Sequence, residues 1–307
     1  ICTSIGAAYA GNFAVTTTSG PGISLKSEAM GLAVMAELPL VVVDVQRGGP
    51  STGLPTKTEQ SDLNQALYGR NGECPMVVIA ASSPSDCFHY AFMAGKIAME
   101  HMTPVMLLSD GFIANGSEPW KIPSMADYPA IVPPIVEPRE GEEFLPYARN
   151  EKLARGWAFP GKAGLQHRIG GLEKDHLRGT ISHDPKNHQE MVTTRKRKVE
   201  LVAEELPELK VVGWGGTRGH LHSAVQQLQE EGKSVAHLHF NYIYPMQKGV
   251  ADILKRYKRI VVCELNEGQF ANYLRQQFTD VVIESYGKTE GQPFTVIEIK
   301  EKVNSML

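Results

Sequence analysis

The sequence predicts an α/β fold built from two strand–helix units, and three observations carry that expectation. Strand-length apolar runs alternate with helix-length amphipathic stretches over residues 1–115 and again over residues 209–307. The runs end at Gly, Pro or Ser, as strands do where they turn into helices. With 307 residues, the chain also exceeds the size at which one hydrophobic core usually stops growing.

The first eleven residues, from Ile1 to Gly11, are apolar at helical spacing and have neither an initiator Met nor a polar cap, as if the sequence began inside a domain. Strands are expected at residues 13–18, 40–45, 76–81 and 105–109. These are β-branched or apolar without alternation, the pattern of parallel strands covered on both faces. Helices are expected at residues 24–37, after a glycine turn, and at 85–102, after Ser83-Pro84, where Phe88, Phe92, Met93 and Ile97 share a face. The result is a mostly parallel sheet with helices on both faces.

Residues 116–208 are Pro-rich and charged and read as a connector. Its second half holds Gly170-Gly171 and the polar run from Glu173 to His176. A helix of mixed charge follows, whose run from Arg195 to Lys198 reads as a solvated face rather than a nucleic-acid contact. In the second unit, strands are expected at 210–214, 235–240 and 259–265, with helices at 220–231, 250–257 and 269–278.

The composition, 42% hydrophobic and 21% charged with a net charge of −3, carries no electrostatic footprint for nucleic acid or an anionic membrane. No uncharged apolar run approaches the roughly 20 residues of a membrane span. Cys2, Cys74, Cys87 and Cys263 form no CxxC, which points to a reducing, cytoplasmic setting and away from a cysteine-held iron–sulfur cluster in this chain.

Two strand ends hold the candidate chemistry. The stretch Thr18-Ser19-Gly20-Pro21-Gly22 leaves a strand and enters a helix. It presents backbone N–H groups at the carboxyl edge of the sheet, where α/β proteins bind ligands, or else it turns there for geometric reasons alone. Arg47 follows the next strand end. A guanidinium in that place suits a carboxylate or phosphate, or else pairs internally with Asp44 or Glu59. Ser109-Asp110-Gly111 reads as a loop. The glycines from Gly213 to Gly219 are not spaced as a dinucleotide fingerprint, which argues against nicotinamide binding. His237 and His239 share a strand face without a third metal ligand, and residues 242–246 and 264–267 read as interface.

Three motifs together carry a resemblance: Thr18-Ser19-Gly20-Pro21-Gly22, the run Gln46-Arg47-Gly48-Gly49-Pro50-Ser51-Thr52-Gly53, and Pro55-Thr56. The chain resembles the alpha subunit of 2-oxoacid:ferredoxin oxidoreductases, on the 2-oxoglutarate-type branch, over nearly its whole length. The Ser-Gly-Pro-Gly turn is also similar to the pyrimidine-binding domain of other thiamine diphosphate enzymes. The resemblance implies a pyrimidine-type domain over residues 1–115, incomplete at its start, a connector over 116–208 with a substrate loop, and a transketolase carboxy-terminal-like α/β domain over 209–307.

The activity implied is oxidative decarboxylation of a 2-oxoacid with coenzyme A, 2-oxoglutarate giving succinyl-CoA, carbon dioxide and reduced ferredoxin; pyruvate or a branched-chain 2-oxoacid are the alternative substrates. Arg47 and Thr56 match substrate-binding residues, and Thr18, Ser19, Gly20, Pro21 and Gly22 would lie near the cofactor's aminopyrimidine. Thiamine diphosphate and Mg2+ would be shared with a beta subunit that also holds the iron–sulfur cluster. The implied assembly is a heterodimer of dimers, with a gamma subunit or fused gamma domain and ferredoxin as further partners.

The family's Tyr-Pro-x-Thr-Pro-Ser motif and its activating glutamate are absent from these residues, and the register of residues 5–11 places that glutamate about four residues before Ile1. Glu28 and Glu37 are out of register to replace it. A non-catalytic scaffold subunit is the reading from another class, and a transketolase-like carboligase would need a diphosphate site that the sequence does not show.

Overall fold

The computed structural model describes residues 1–206 and 213–307. In chain order the first unit comprises α1 (Cys2–Tyr9), β1 (Val15–Thr18), α2 (Gly20–Ala36), β2 (Leu40–Gln46), α3 (Leu63–Tyr68), β3 (Val77–Ala80), α4 (Pro84–His101), β4 (Pro104–Asp110) and α5 (Gly111–Asn115). The connector contributes α6 (Pro185–Glu200). Beyond it lie α7 (Arg218–Glu230), β5 (Tyr242–Tyr244), α8 (Val250–Leu254), β6 (Ile260–Glu264), α9 (Gln269–Gln277), β7 (Ile283–Gly287) and α10 (Val296–Asn304).

Strands β1 to β4 pair in parallel in the order β1-β2-β4-β3. They are parallel because each is followed by a helical crossover, and β3 and β4 are buried along their whole length, which is why they lack alternation. Each fully buried Val, Ile or Leu there contributes roughly 1.5–3 kcal/mol.

The fifth strand of this sheet comes from the other end of the chain. β5 pairs antiparallel with β3, Tyr242 opposite Ile79 and Tyr244 opposite Val78, so the segment read as interface is a sheet edge. The apolar core is likewise continuous across the two units, running from Ile23, Met30 and Val42 to Trp214, Phe240 and Phe270.

One boundary differs from expectation for an identifiable reason. Helix α2 begins at Gly20, four residues early, because extended Ser19 caps it and Pro21 fits its first turn, so Gly20, Pro21 and Gly22 are helical rather than loop. Within the expected strand at 235–240, Leu238 and Phe240 are bridge residues, and among the described residues Phe240 pairs in parallel with Trp214. Most of the expected strand at 210–214, and the boundary at 208/209, lie outside the described residues. β6 and β7 pair in parallel as a separate two-stranded sheet.

The connector is irregular but anchored. The Trp157 indole N–H donates to the Ala8 carbonyl at 3.0 Å. Arg149 donates twice to Glu37, at 2.8 Å each, and Lys198 of α6 binds the same carboxylate. Glu37 is fully buried at the carboxyl end of α2, so these contacts lock the connector and α6 to the first unit.

Candidate active site

The carboxyl ends of β1, β2 and β4 lie side by side, Thr18 opposite Asp44 and Gln46 opposite Asp110. The sequence-predicted residues gather on this edge. Ser19 caps α2 without a side-chain hydrogen bond, so the first-turn N–H groups of a 17-residue helix are not taken up by its hydroxyl. A Cβ at Gly22 would overlap Thr18 Oγ1, and one at Gly20 would overlap the Asp62 carboxylate. Both glycines are therefore required by close approach of side chains that follow strand ends.

After β2 the chain makes a compact loop. The Gly48 N–H donates to the Lys57 carbonyl at 3.0 Å and the Leu54 N–H to the Gly48 carbonyl at 2.8 Å. Gly53 has φ +45°, and a Cβ there would collide with the Gly48 carbonyl, so only glycine closes the loop. Thr56 lies on it, exposed, with its hydroxyl donating to the Pro55 carbonyl at 2.6 Å and its own carbonyl near Gly111 at the end of β4.

Arg47 is half-buried at the base of this loop. Neither of the internal pairs considered for it forms: among the described residues its guanidinium has no carboxylate within 4 Å and makes no hydrogen bond, and its buried Nε is without a partner. Asp62 is the acid that it faces electrostatically. A guanidinium held near an edge with its donors unused is set to take an anion from outside the chain.

Sequence reasoning considered Asp44 only as a partner for Arg47 and missed Asp62. Asp44 is fully buried and neither of its carboxyl oxygens has a donor; its polar neighbour is the Asp62 carboxyl, within hydrogen-bonding reach. Burial, then the Asp62 charge, pushes Asp44 up to about 8, while burial lifts Asp62 to about 6 against the pull of Ser61, Asp44 and Arg47. Glu59, beside Gly48, is also raised by burial, although backbone N–H groups of Gly49 and Gly291 support its charge. The available signal for the pair was an acid inside the otherwise apolar run of β2.

Other motifs prove structural. Asp110 accepts from the Thr58 hydroxyl (2.9 Å) and the N–H groups of Phe112, Ile113 and Gly216, so it caps α5 and binds the second unit. Gly215 and Gly216 are small because a Cβ would strike Gln60 and Asp110 respectively. Gln60 in turn donates to the Trp214 carbonyl (2.8 Å) and accepts from the Leu265 N–H (2.9 Å), while Asn266 donates to the Gln60 carbonyl (2.7 Å).

The loop from Gly170 to His176 packs against Leu32 of α2, twelve residues past Gly20 and so roughly 18 Å along the helix. Within this chain it is not brought to the Arg47 edge. Among the described residues no group of three or more His, Cys, Asp or Glu is arranged to hold a metal, and all four cysteines are free. No helix of the described residues is long and apolar enough to cross a membrane.

Comparison with known families matches residues 1–184 to the pyruvate flavodoxin/ferredoxin oxidoreductase, thiamine diphosphate-binding family. The chain is 50% identical to 2-oxoglutarate oxidoreductase subunit KorA of Mycobacterium tuberculosis, over all of this chain and 48% of that protein. It is 32% identical to 2-oxoglutarate synthase subunit KorA of Methanothermobacter thermautotrophicus, over 86% of this chain and 72% of that one.

A solved 2-oxoglutarate:ferredoxin oxidoreductase from Magnetococcus marinus, with 2-oxoglutarate, coenzyme A and succinyl-CoA bound, superposes with a TM-score of 0.92 at 33% identity. The match covers 99% of this chain and 55% of that one. The chain thus spans about half the length of the Mycobacterium and Magnetococcus proteins. An edge where α2 opens without a side-chain cap bond beside an Arg47 that makes no ion pair among the described residues, on a fold that matches the Magnetococcus structure over 99% of this chain, agrees with the match of residues 1–184: the chain belongs to the pyruvate flavodoxin/ferredoxin oxidoreductase thiamine diphosphate-binding family, alongside its KorA subunits.

Proposed function

We propose that this chain is the alpha-subunit part of a cytoplasmic thiamine diphosphate-dependent oxidoreductase. It would convert 2-oxoglutarate, coenzyme A and oxidised ferredoxin into succinyl-CoA, carbon dioxide and reduced ferredoxin. The observation that carries the reading is Arg47, half-buried at the carboxyl edge with no carboxylate within 4 Å among the described residues. Its planar donor set suits a 2-oxoacid carboxylate, and Thr56 stands on the same loop.

The donor set fits one side of the cofactor. Thr18, Ser19 and the first turn of α2 from Gly20 to Gly22 offer backbone donors and a tight approach, which suits the aminopyrimidine end. Thiamine diphosphate, when bound, supplies the carbon nucleophile and electron sink for decarboxylation. A diphosphate–Mg2+ pair needs several oxygen ligands in octahedral arrangement, and no such acidic cluster stands among the described residues. In this reading a beta subunit contributes that half of the site and the iron–sulfur cluster, a gamma subunit or gamma domain and ferredoxin complete the system, and the assembly is a heterodimer of dimers.

Arg47→Ala in the assembled enzyme tests the assignment. A charge-assisted carboxylate contact contributes roughly 1.5–3 kcal/mol, so kcat/KM for 2-oxoglutarate should fall about 10- to 150-fold. An unchanged kcat/KM in an intact complex favours the scaffold reading, and a parent enzyme that turns over pyruvate or branched-chain 2-oxoacids faster than 2-oxoglutarate moves the substrate.

A further inference from the structure

The fully buried Asp44 carboxyl has no hydrogen-bond donor for either oxygen, and Asp62 Oδ2 is equally without one. Asp62 is only partly buried and Ser61 supports its charge, but the enclosed Asp44 carboxyl has no such support and is costly to ionise beside an ionised neighbour; one proton between Asp44 and Asp62 Oδ2 satisfies both as donor and acceptor. The pair lies directly under the candidate site. Asp44 is in register with Thr18, and Asp62 rests against Gly20 at the start of α2.

Resting on the reading of Arg47 as the substrate-carboxylate ligand, we propose that Asp44 and Asp62 share one proton and form a positioning pair whose charge decides whether the Arg47 guanidinium is free for a 2-oxoacid carboxylate. With one proton the pair carries a single negative charge. When that proton leaves, a second negative charge appears behind Arg47, draws the guanidinium toward Asp62 and repels the incoming carboxylate.

The charged groups around the pair are few. Lys26 of α2 faces Asp44 and favours its ionisation; Glu59, on the segment before α3, opposes that of Asp62; Arg47 at the end of β2 favours it. With burial and Asp62 lifting Asp44 to about 8, the second negative charge arrives on the alkaline side of neutrality.

The test uses the assembled enzyme, with kcat and KM for 2-oxoglutarate followed from pH 6 to 9.5. In the parent, KM should be flat to about pH 7 and rise about tenfold by pH 9, one unit past the pair's titration, with kcat changing far less. In Asp44→Asn the KM profile should be flat; a rise that survives this substitution overturns the proposal. Should Asp44→Asn fail to assemble, Asp62→Asn carries the same expectation and the same refutation.

Infrared spectra supply a readout that does not depend on Arg47. A protonated-carboxyl band should be present at pH 7, disappear above pH 9 and be missing in Asp44→Asn; absence of the band in the parent overturns the shared proton. If Arg47→Ala leaves KM unchanged while the band persists, the substrate role of Arg47 has failed and the positioning role falls with it, leaving the proton pair standing.

Discussion

Replacing Glu37 by Gln keeps its shape and removes the carboxylate that faces Arg149 and Lys198. Glu37 is fully buried, and Lys198, which also donates to the Met102 carbonyl at 2.8 Å, is nearly so. Arg149 grips both Glu37 oxygens at 2.8 Å. Neutralising one member of such a buried group leaves two cations facing an amide, and losses of about 3–5 kcal/mol are typical. For a chain of 307 residues that corresponds to a fall in Tm of roughly 5–8 °C.

The pH dependence has a definite sign. Burial opposes the Glu37 charge, but Lys198 and Arg149 together hold the carboxyl well below its usual 4.5. Burial works against the charge on Lys198 as well, so the carboxylate, gripped by two cations, is the member whose ionisation is secure. Because the native state stays unprotonated where the unfolded chain takes up a proton, the contribution is complete above pH 4.5 and lost as pH falls toward the native value.

Urea and thermal unfolding of parent and Glu37→Gln from pH 3 to 8 should show a gap that is constant near neutrality and narrows in acid. A gap below about 1 kcal/mol at pH 7 would show that the network is not a structural lock. In Glu37→Gln/Lys198→Met, which removes the deep cation too, part of the loss should be recovered.

Other perturbations read the candidate site. Gly53→Ala places a side chain at φ +45° against the Gly48 carbonyl and should destabilise the chain by at least about 2 kcal/mol and raise KM, checked by unfolding and steady-state kinetics. Gln60→Ala orphans the buried Leu265 N–H, a loss of about 1–3 kcal/mol measurable by urea unfolding, while the Trp214 carbonyl keeps the Thr217 hydroxyl at 2.9 Å. Asp44→Asn should remove a slope in stability. The native pair binds a proton that the unfolded chain has released between 3.8 and about 8, so the parent loses up to about 1.4 kcal/mol per pH unit across that window, and a parent curve without this slope in urea unfolding from pH 5 to 9 would contradict the shared proton.

The sheet was legible because β2, β3 and β4 are β-branched, strand-length and bounded by turn residues, so burial and backbone preference agree there. Arg47 was legible for a related reason: a lone guanidinium immediately after such a strand must emerge at the carboxyl edge. β5 was not. It is three residues long, and its partner β3 lies about 160 residues earlier, so no local pattern announces the pairing. Asp62 was hidden similarly, since it precedes a six-residue helix and gains meaning only where Gly20 lets it reach Asp44.

The same long-range contacts explain why the second unit matters to a site whose predicted residues all lie in the first. Gln60 is held by Leu265 and Asn266, the Ser61 carbonyl accepts from Gln269 at 2.9 Å, and the Asn64 N–H donates to the Gln269 side chain at 2.9 Å. Asp62 sits in the middle of this clamped segment, and its own N–H donates to the Gln46 side chain beside Arg47. Position along the segment from Gln60 to Asn64 is therefore fixed from β6 and α9 on one side and from β2 on the other. Any movement between the units must first break buried backbone hydrogen bonds, and would then shift Asp62 relative to both Asp44 and Arg47. The glycines at Gly215 and Gly216, whose spacing excludes a dinucleotide fingerprint, serve this joint: they let the second unit approach closely enough for Gln60 and Asp110 to be bound.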